Sequence, residues 1–148
     1  MEKREHALKR FNEQGANCAQ AVLSAFAQEH GLEEAQALKI AACFGAGIGR
    51  MGLTCGAVTG ACMVLGLRHG QDTAEGLEGR TRVYGMVQDF AGRFRARFGQ
   101  LDCAALTGCD LASTAGKKAF ADRGLHAGLC SFLVAGAVEI LEEMKGSR

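Results

Sequence analysis

Cys43–Cys62, CFGAGIGRMGLTCGAVTGAC, carries three of the chain's seven cysteines and is the stretch around which the rest of the sequence is organised. It leaves an apolar segment, passes Gly45, Gly47, Gly49 and Gly52, and enters a new helical pattern at Thr54 and Cys55. Glycine adopts positive φ without steric cost and adds no side chain, so such a segment can lay backbone close to a reactive group. Thr54 has the chemistry of an N-cap, which places Cys55 in the first helical turn. Unpaired amides and the helix dipole there favour the thiolate, the form that attacks disulfides and binds metals. Beyond Cys55, the residues Gly56, Ala57, Gly60 and Ala61 leave one side of the helix almost bare backbone, so another element can pack closely on it. This helix continues through Met63, Val64, Leu65 and Leu67 to about His69. The fold expected from it is all-α, a compact domain with a Gly/Ala-rich helix at its centre.

Helical patterns extend in both directions. Residues 2–14 form an amphipathic pattern with Ala7, Leu8 and Phe11 inward, and Gly15 ends it. Asn17 is the next N-cap, with Gln20 completing a capping box ahead of Ala19, Val22, Leu23 and Phe26. Cys18 therefore falls in a first turn, as Cys55 does. His30-Gly31 and His69-Gly70 are read as helix ends with C-cap glycines and dipole-compensating histidines. A helix from Glu33 to Phe44 turns Ala37, Leu38, Ile40 and Ala41 inward and delivers Cys43, read as a core residue. From Thr73 to Phe98 a long helix carries Leu77, Tyr84, Val87, Phe94 and Phe98, widened by Val83, Met86 and Phe90. Arg80, Arg82, Arg93, Arg95 and Arg97 are its solvated face.

Gly99 stops that helix, and Asp102 caps a short turn that begins at Cys103, a third cysteine at a helix start. Residues 109–123 are small and polar, a surface loop or a pair of short helices. The last helix, Leu125 to Met144, places Cys130, Leu133, Val134, Ala137, Leu141 and Met144 on one face. His126 lies one turn before Cys130, as a helix-end residue or as a group that tunes the thiol. The total is five to seven helices in a single domain over residues 1–148.

Composition narrows the classes. A chain of 148 residues, 48% hydrophobic, suffices for one domain with a real core. A formal net charge of +1 gives no general attraction to nucleic acid or anionic membranes. No run of 18 or more apolar residues suggests a membrane span. The charged N-terminus has no secretory pattern, so a cytoplasmic location is expected. In a reducing compartment seven cysteines are not permanent staples, which leaves metal binding, transient redox chemistry and plain burial. No C-x-x-C occurs, which argues against a zinc ribbon and against a thioredoxin-like motif. Gly47 to Gly52 spells G-x-G-x-x-G, but a helix precedes it where a dinucleotide site needs a strand. Cys62 lies seven residues beyond Cys55, about 10 Å by helical rise, too far for a disulfide within one helix. It is read as core.

Cys55-Gly56-Ala57-Val58-Thr59-Gly60 is a C-G-A-x-x-G hexapeptide, and with it the chain resembles the redox-active family named for its pattern, C_GCAxxG_C_C. The resemblance runs from about Phe11 to about Glu143. It implies a set of four characteristic cysteines: Cys18, Cys55, Cys103 and Cys130. Cys43, Cys62 and Cys109 fall outside that set. Three functions follow. In the first, the four cysteines hold an iron–sulfur cluster or another thiolate-bound metal for electron transfer or redox sensing, with Gly56 and Gly60 allowing close backbone approach to the cofactor. In the second, a metal-free pair forms a reversible disulfide, and the protein is a thiol–disulfide carrier or oxidoreductase. In the third, a helical interaction module uses its cysteines as core filler. The redox partner is not identified by the sequence, which leaves homo-oligomerisation open.

Overall fold

In a computed structural model, the described residues are 2–72 and 76–146. Among them are nine α-helices and no β-strand: α1 (Glu2–Glu13), α2 (Cys18–Ala27), α3 (Glu34–Ile40), α4 (Gly45–Ile48), α5 (Gly56–His69), α6 (Leu77–Phe98), α7 (Cys103–Thr107), α8 (Thr114–Asp122) and α9 (Ser131–Glu143). The all-α expectation holds. Seven of the nine have seven residues or more, whereas α4 and α7 are short turns of four and five. No single helix among the described residues is long and apolar enough to cross a membrane.

Helix α5 lies at the centre, packed on α2, α6 and α9, with α1 closing over α2 and α9. Its glycines are the reason. A Cβ added at Gly56 would lie 2.9 Å from the Ala19 amide nitrogen, and one added at Gly60 would lie 2.8 Å from the Ala19 carbonyl oxygen. The close approach that Gly56 and Gly60 permit is thus filled by the backbone of α2. Ala19, Val22, Leu23 and Phe26 on α2 are buried against this seam, as are Val134, Ala137 and Leu141 on α9.

Several expectations are corrected. Ile40 is 52% exposed and Cys43 is also exposed, because α3 ends after seven residues and a 3₁₀ turn, Ala42–Phe44, reorients the chain. On α6 the buried residues are Met86, Phe90 and Phe94, at four-residue spacing, while Leu77 and Tyr84 stay exposed. The N-terminal part of α6 contributes no buried residue, so Leu77 and Tyr84 are left largely exposed among the described residues. The start at Thr73 lies outside the described residues. Gly70 ends α5 in an extended conformation (φ −72°, ψ 163°), unlike Gly31, which adopts the left-handed C-cap (φ 76°). Residues 114–122 form one helix capped by the Ser113 hydroxyl, which accepts the Gly116 amide at 2.9 Å. Leu111, Ala119, Phe120 and Leu125 build a small second core there around Cys103 and Cys109.

The glycine stretch is helical by hydrogen bonding but left-handed by dihedral angle. Ala46 (φ 53°), Gly47 (70°), Ile48 (65°), Gly49 (61°) and Arg50 (69°) follow one another in the left-handed region. L-residues avoid that region by roughly 1–2 kcal/mol each, and a β-branched residue there is a true outlier. The turn is held by contact with α7: a Cβ on Gly47 would lie 2.7 Å from the Cys103 Cβ. In addition, the Leu53 and Gly52 carbonyls accept the amides of Cys103 (2.7 Å) and Ala104 (3.1 Å).

Candidate functional site

Four chain segments deliver the cysteines at 18, 55, 103 and 130 to one place. Cys18 opens α2 behind a complete capping box, in which Asn17 accepts the Gln20 amide at 2.8 Å and the Gln20 side chain accepts the Asn17 amide at 2.9 Å. The Asn17 and Gln20 side-chain amides also donate to the carbonyls of Ala42 and Leu38, tying the start of α2 to the end of α3. Cys55 precedes α5, its amide bonded to the Leu101 carbonyl at 2.8 Å. Thr54, expected as the cap, is drawn into an antiparallel bridge with Asp102, which leaves Cys55 as the N-cap residue. Cys103 is the first residue of α7. Cys130 ends a π-turn, His126–Cys130, and bonds through its amide to the Leu125 carbonyl at 2.8 Å. Such turns recur at functional sites because they re-aim side chains within a helix.

All four line a cavity of about 430 Å³. Phe11, Leu106, Phe120 and Leu133 form apolar wall, and Arg50, Lys117 and His126 reach it from the exposed side. The His126 ring stacks on Phe11 at 4.1 Å between centroids and 9° between planes, so it serves as wall beside the thiols. Cys43 and Cys62 do not line this cavity. Cys62 is half-buried against the main core, where burial pushes its thiol pKa up.

The thiols differ in acidity. The Cys18 pKa is pushed well up, first because its thiol is hydrogen-bonded with Cys130, then with Cys55, and then through burial. Cys55 goes the other way. The hydrogen bond from Cys18 lowers its pKa most, and the amides of Ala57 and Val58 add to this against the cost of burial. Those amides belong to the second and third residues of α5, the ones an N-cap side chain faces. They favour the thiolate without closing a cap hydrogen bond of ideal geometry. Cys103 is pushed up to about 11 by burial, with the sulfurs of Cys55, Cys130 and Cys109 adding to the shift. The expectation that all three helix-start cysteines favour thiolate is therefore corrected. Asn17 already occupies the cap of α2, and the first amides of α7 are taken by Leu53 and Gly52 carbonyls.

Cys109, outside the four-cysteine set, does not line the cavity either. Gly108 (φ 67°) reverses the chain after α7, so Cys109 folds back with its amide on the Thr107 hydroxyl (3.1 Å) and the Arg123 guanidinium 3.9 Å from its sulfur. Every cysteine is a free thiol. Among the described residues, no three His, Cys, Asp or Glu side chains group around a point that could hold one metal ion.

A protein-family model, described as "Putative redox-active protein (C_GCAxxG_C_C)", matches residues 16–144, nearly the whole chain. The chain belongs to this family. The C_GCAxxG_C_C match spans all four segments that carry the cavity cysteines and leaves α1 outside it. Compared with curated proteins and with solved structures, the chain finds no match.

Proposed function

We propose that this C_GCAxxG_C_C protein performs thiol–disulfide exchange, with Cys55 as the attacking thiolate and Cys18 as the thiol that resolves. The observation that carries the reading is that Cys18 and Cys55 line one cavity with their thiols hydrogen-bonded: the bond from Cys18 is the largest influence drawing Cys55 toward thiolate, while Cys18 is kept toward thiol first by its bond with Cys130 and then by that with Cys55. In exchange, the Cys55 thiolate attacks one sulfur of a partner disulfide, the partner S–S bond breaks, and one partner thiolate leaves. Cys18 then gives up its proton and attacks the Cys55 sulfur, which forms a Cys18–Cys55 disulfide. The second partner thiolate is released and takes the proton. The protein loses two electrons and the partner disulfide gains them. Such a couple acts as carrier or oxidoreductase in a reducing compartment, the cytoplasm being the one the reading favours.

The test is oxidation with a small disulfide, alkylation of the remaining thiols and mapping of the linked peptides. A Cys18–Cys55 link that reforms after reduction is the expected result. No link involving Cys18 or Cys55 overturns it.

A second reading has its own observation, that four thiols rather than two line the cavity. Cys18, Cys55, Cys103 and Cys130 have the donor chemistry of an iron–sulfur site, which takes four thiolates, and a multi-atom cluster draws on ligands set further apart than one ion does. When bound there, a cluster supplies one-electron transfer. Stoichiometric iron and sulfide in protein purified without air would favour this reading over the first.

A further inference from the structure

The cavity above the thiols has a charge of one sign. Of the residues that line it, Arg50 and Lys117 are cationic and none is Asp or Glu. Several surface cations of this protein are matched: Arg97 and Arg4 bond Glu139, Arg93 bonds Asp89, and Lys118 bonds Asp122. Arg50 and Lys117 make no such ion pair among the described residues. Cations left unmatched at the mouth of a cleft focus positive potential into it and raise the local concentration of anions.

Arg50 stands at the end of the left-handed run, with φ 69°. A non-glycine residue persists in such a conformation only where its surroundings over-determine it, and such residues cluster at ligand sites. Here the run is pinned by the contact of Gly47 with Cys103, so the strained backbone carries Arg50 to the mouth of the cavity whose floor is sulfur. The volume, about 430 Å³, falls in the usual range of small-molecule sites, roughly 300–1,000 Å³. Phe11, Leu106 and Phe120 offer an apolar wall to a ligand's body.

We infer that the cavity receives a low-molecular-weight disulfide bearing carboxylates, with Arg50 and Lys117 binding the carboxylates while one of its sulfurs meets Cys55. This inference rests on the thiol–disulfide reading and assigns its substrate class. The reaction is the exchange given above: the small disulfide is reduced to two thiols and the Cys18–Cys55 pair is oxidised, with no further oxidant or reductant.

Three probe disulfides test it on the reduced full-length protein: dithiobis(nitrobenzoate), which is anionic, dithiodipyridine, which is neutral, and cystamine, which is cationic. Each rate is divided by that of a free small thiol at the same thiolate concentration, which removes intrinsic reactivity. The expected result is an anionic-to-neutral ratio about tenfold above unity at low salt, falling as salt rises, with cystamine below unity. Arg50→Gly, which accommodates the left-handed φ, combined with Lys117→Gln brings the ratio back toward unity, whereas Lys39→Gln, away from the cavity, keeps it. A ratio near unity in the native protein, or one unaltered in the double variant, overturns the inference while leaving thiol exchange intact. No reaction of Cys55 with even the neutral probe overturns the exchange reading and this inference together.

Discussion

Cys55 and Cys103 both stand at a helix start and both are buried, at 4% and 8% exposure, yet their acidities move in opposite directions. Cys55 is the residue before a fourteen-residue helix, so the amides of Ala57 and Val58 face its sulfur and Cys18 donates to it from the side. Cys103 is the first residue within a five-residue helix, and its own amide and that of Ala104 are already bonded to Leu53 and Gly52. A helix N-terminus stabilises a thiolate only if its amides are unspent and the sulfur stands at the cap. Where either condition fails, desolvation wins and the thiol stays protonated.

The largest effect that would break this comparison is on chemistry. Cys55→Ser is expected to abolish disulfide exchange with a small neutral disulfide, while Cys103→Ser retains it at the native order of magnitude. Stopped-flow rates on both variants check this, and equal losses would mean that the two helix starts act alike.

The pH dependence sharpens the same contrast. Cysteine-resolved alkylation followed by mass spectrometry should place the midpoint for Cys55 below the ordinary thiol value of about 8.5 and that for Cys103 near 11. Because the Cys103 pKa is raised on folding, its contribution to stability is present below the ordinary thiol value and is lost as pH rises through about 11. Cys18 has the same sign. Cys55, with a lowered pKa, contributes above its unfolded value and loses that contribution as pH falls through its folded one. Urea titrations between neutral and alkaline pH should show stability falling toward the alkaline end, less steeply in Cys103→Ser.

Packing sets the next scale. Gly60→Leu should destabilise by about 1–3 kcal/mol, since even a Cβ meets the Ala19 carbonyl oxygen at 2.8 Å. By shifting α2 it also moves Cys18 from Cys55, so the Cys55 alkylation midpoint should rise. Removal of the α2 cap by Asn17→Ala should lower stability by about 1 kcal/mol in the same titrations. The smallest effect has the opposite sign. A Cβ at Gly66 meets nothing within 4 Å, so Gly66→Ala should stabilise by about 0.5–1 kcal/mol with no change at either cysteine.

Much of the fold was legible. Asn17 and Gln20 form the capping box that their spacing predicts, Gly15, Gly31, Gly99 and Gly108 end helices with positive φ, and Gly56 and Gly60 mark the closest helix contact. These features depend on neighbours within about one turn, which a linear sequence displays. Ile40, Leu77 and Tyr84 were misread because periodicity records which side of a helix is apolar, not whether another helix reaches that length of it. At the site, Cys18 and Cys55 were legible as helix-start residues, but the displacement of the cap from Thr54 to Cys55 depends on Asp102, far along the chain.

By itself the sequence determined an all-α chain with cysteines at three helix starts, a glycine-lined central helix and no strand pattern. Only the tertiary structure decided that Cys18, Cys55, Cys103 and Cys130 share one cavity, that residues 46–50 run left-handed, and that Cys55 is the thiol inclined to ionise. Helix caps and amphipathic stripes are local and follow from steric and hydrogen-bonding rules between near neighbours. Acidity at a buried sulfur is set by burial and by which donors face it, and the Cys18 thiol that matters most to Cys55 comes from a segment that only packing brings near.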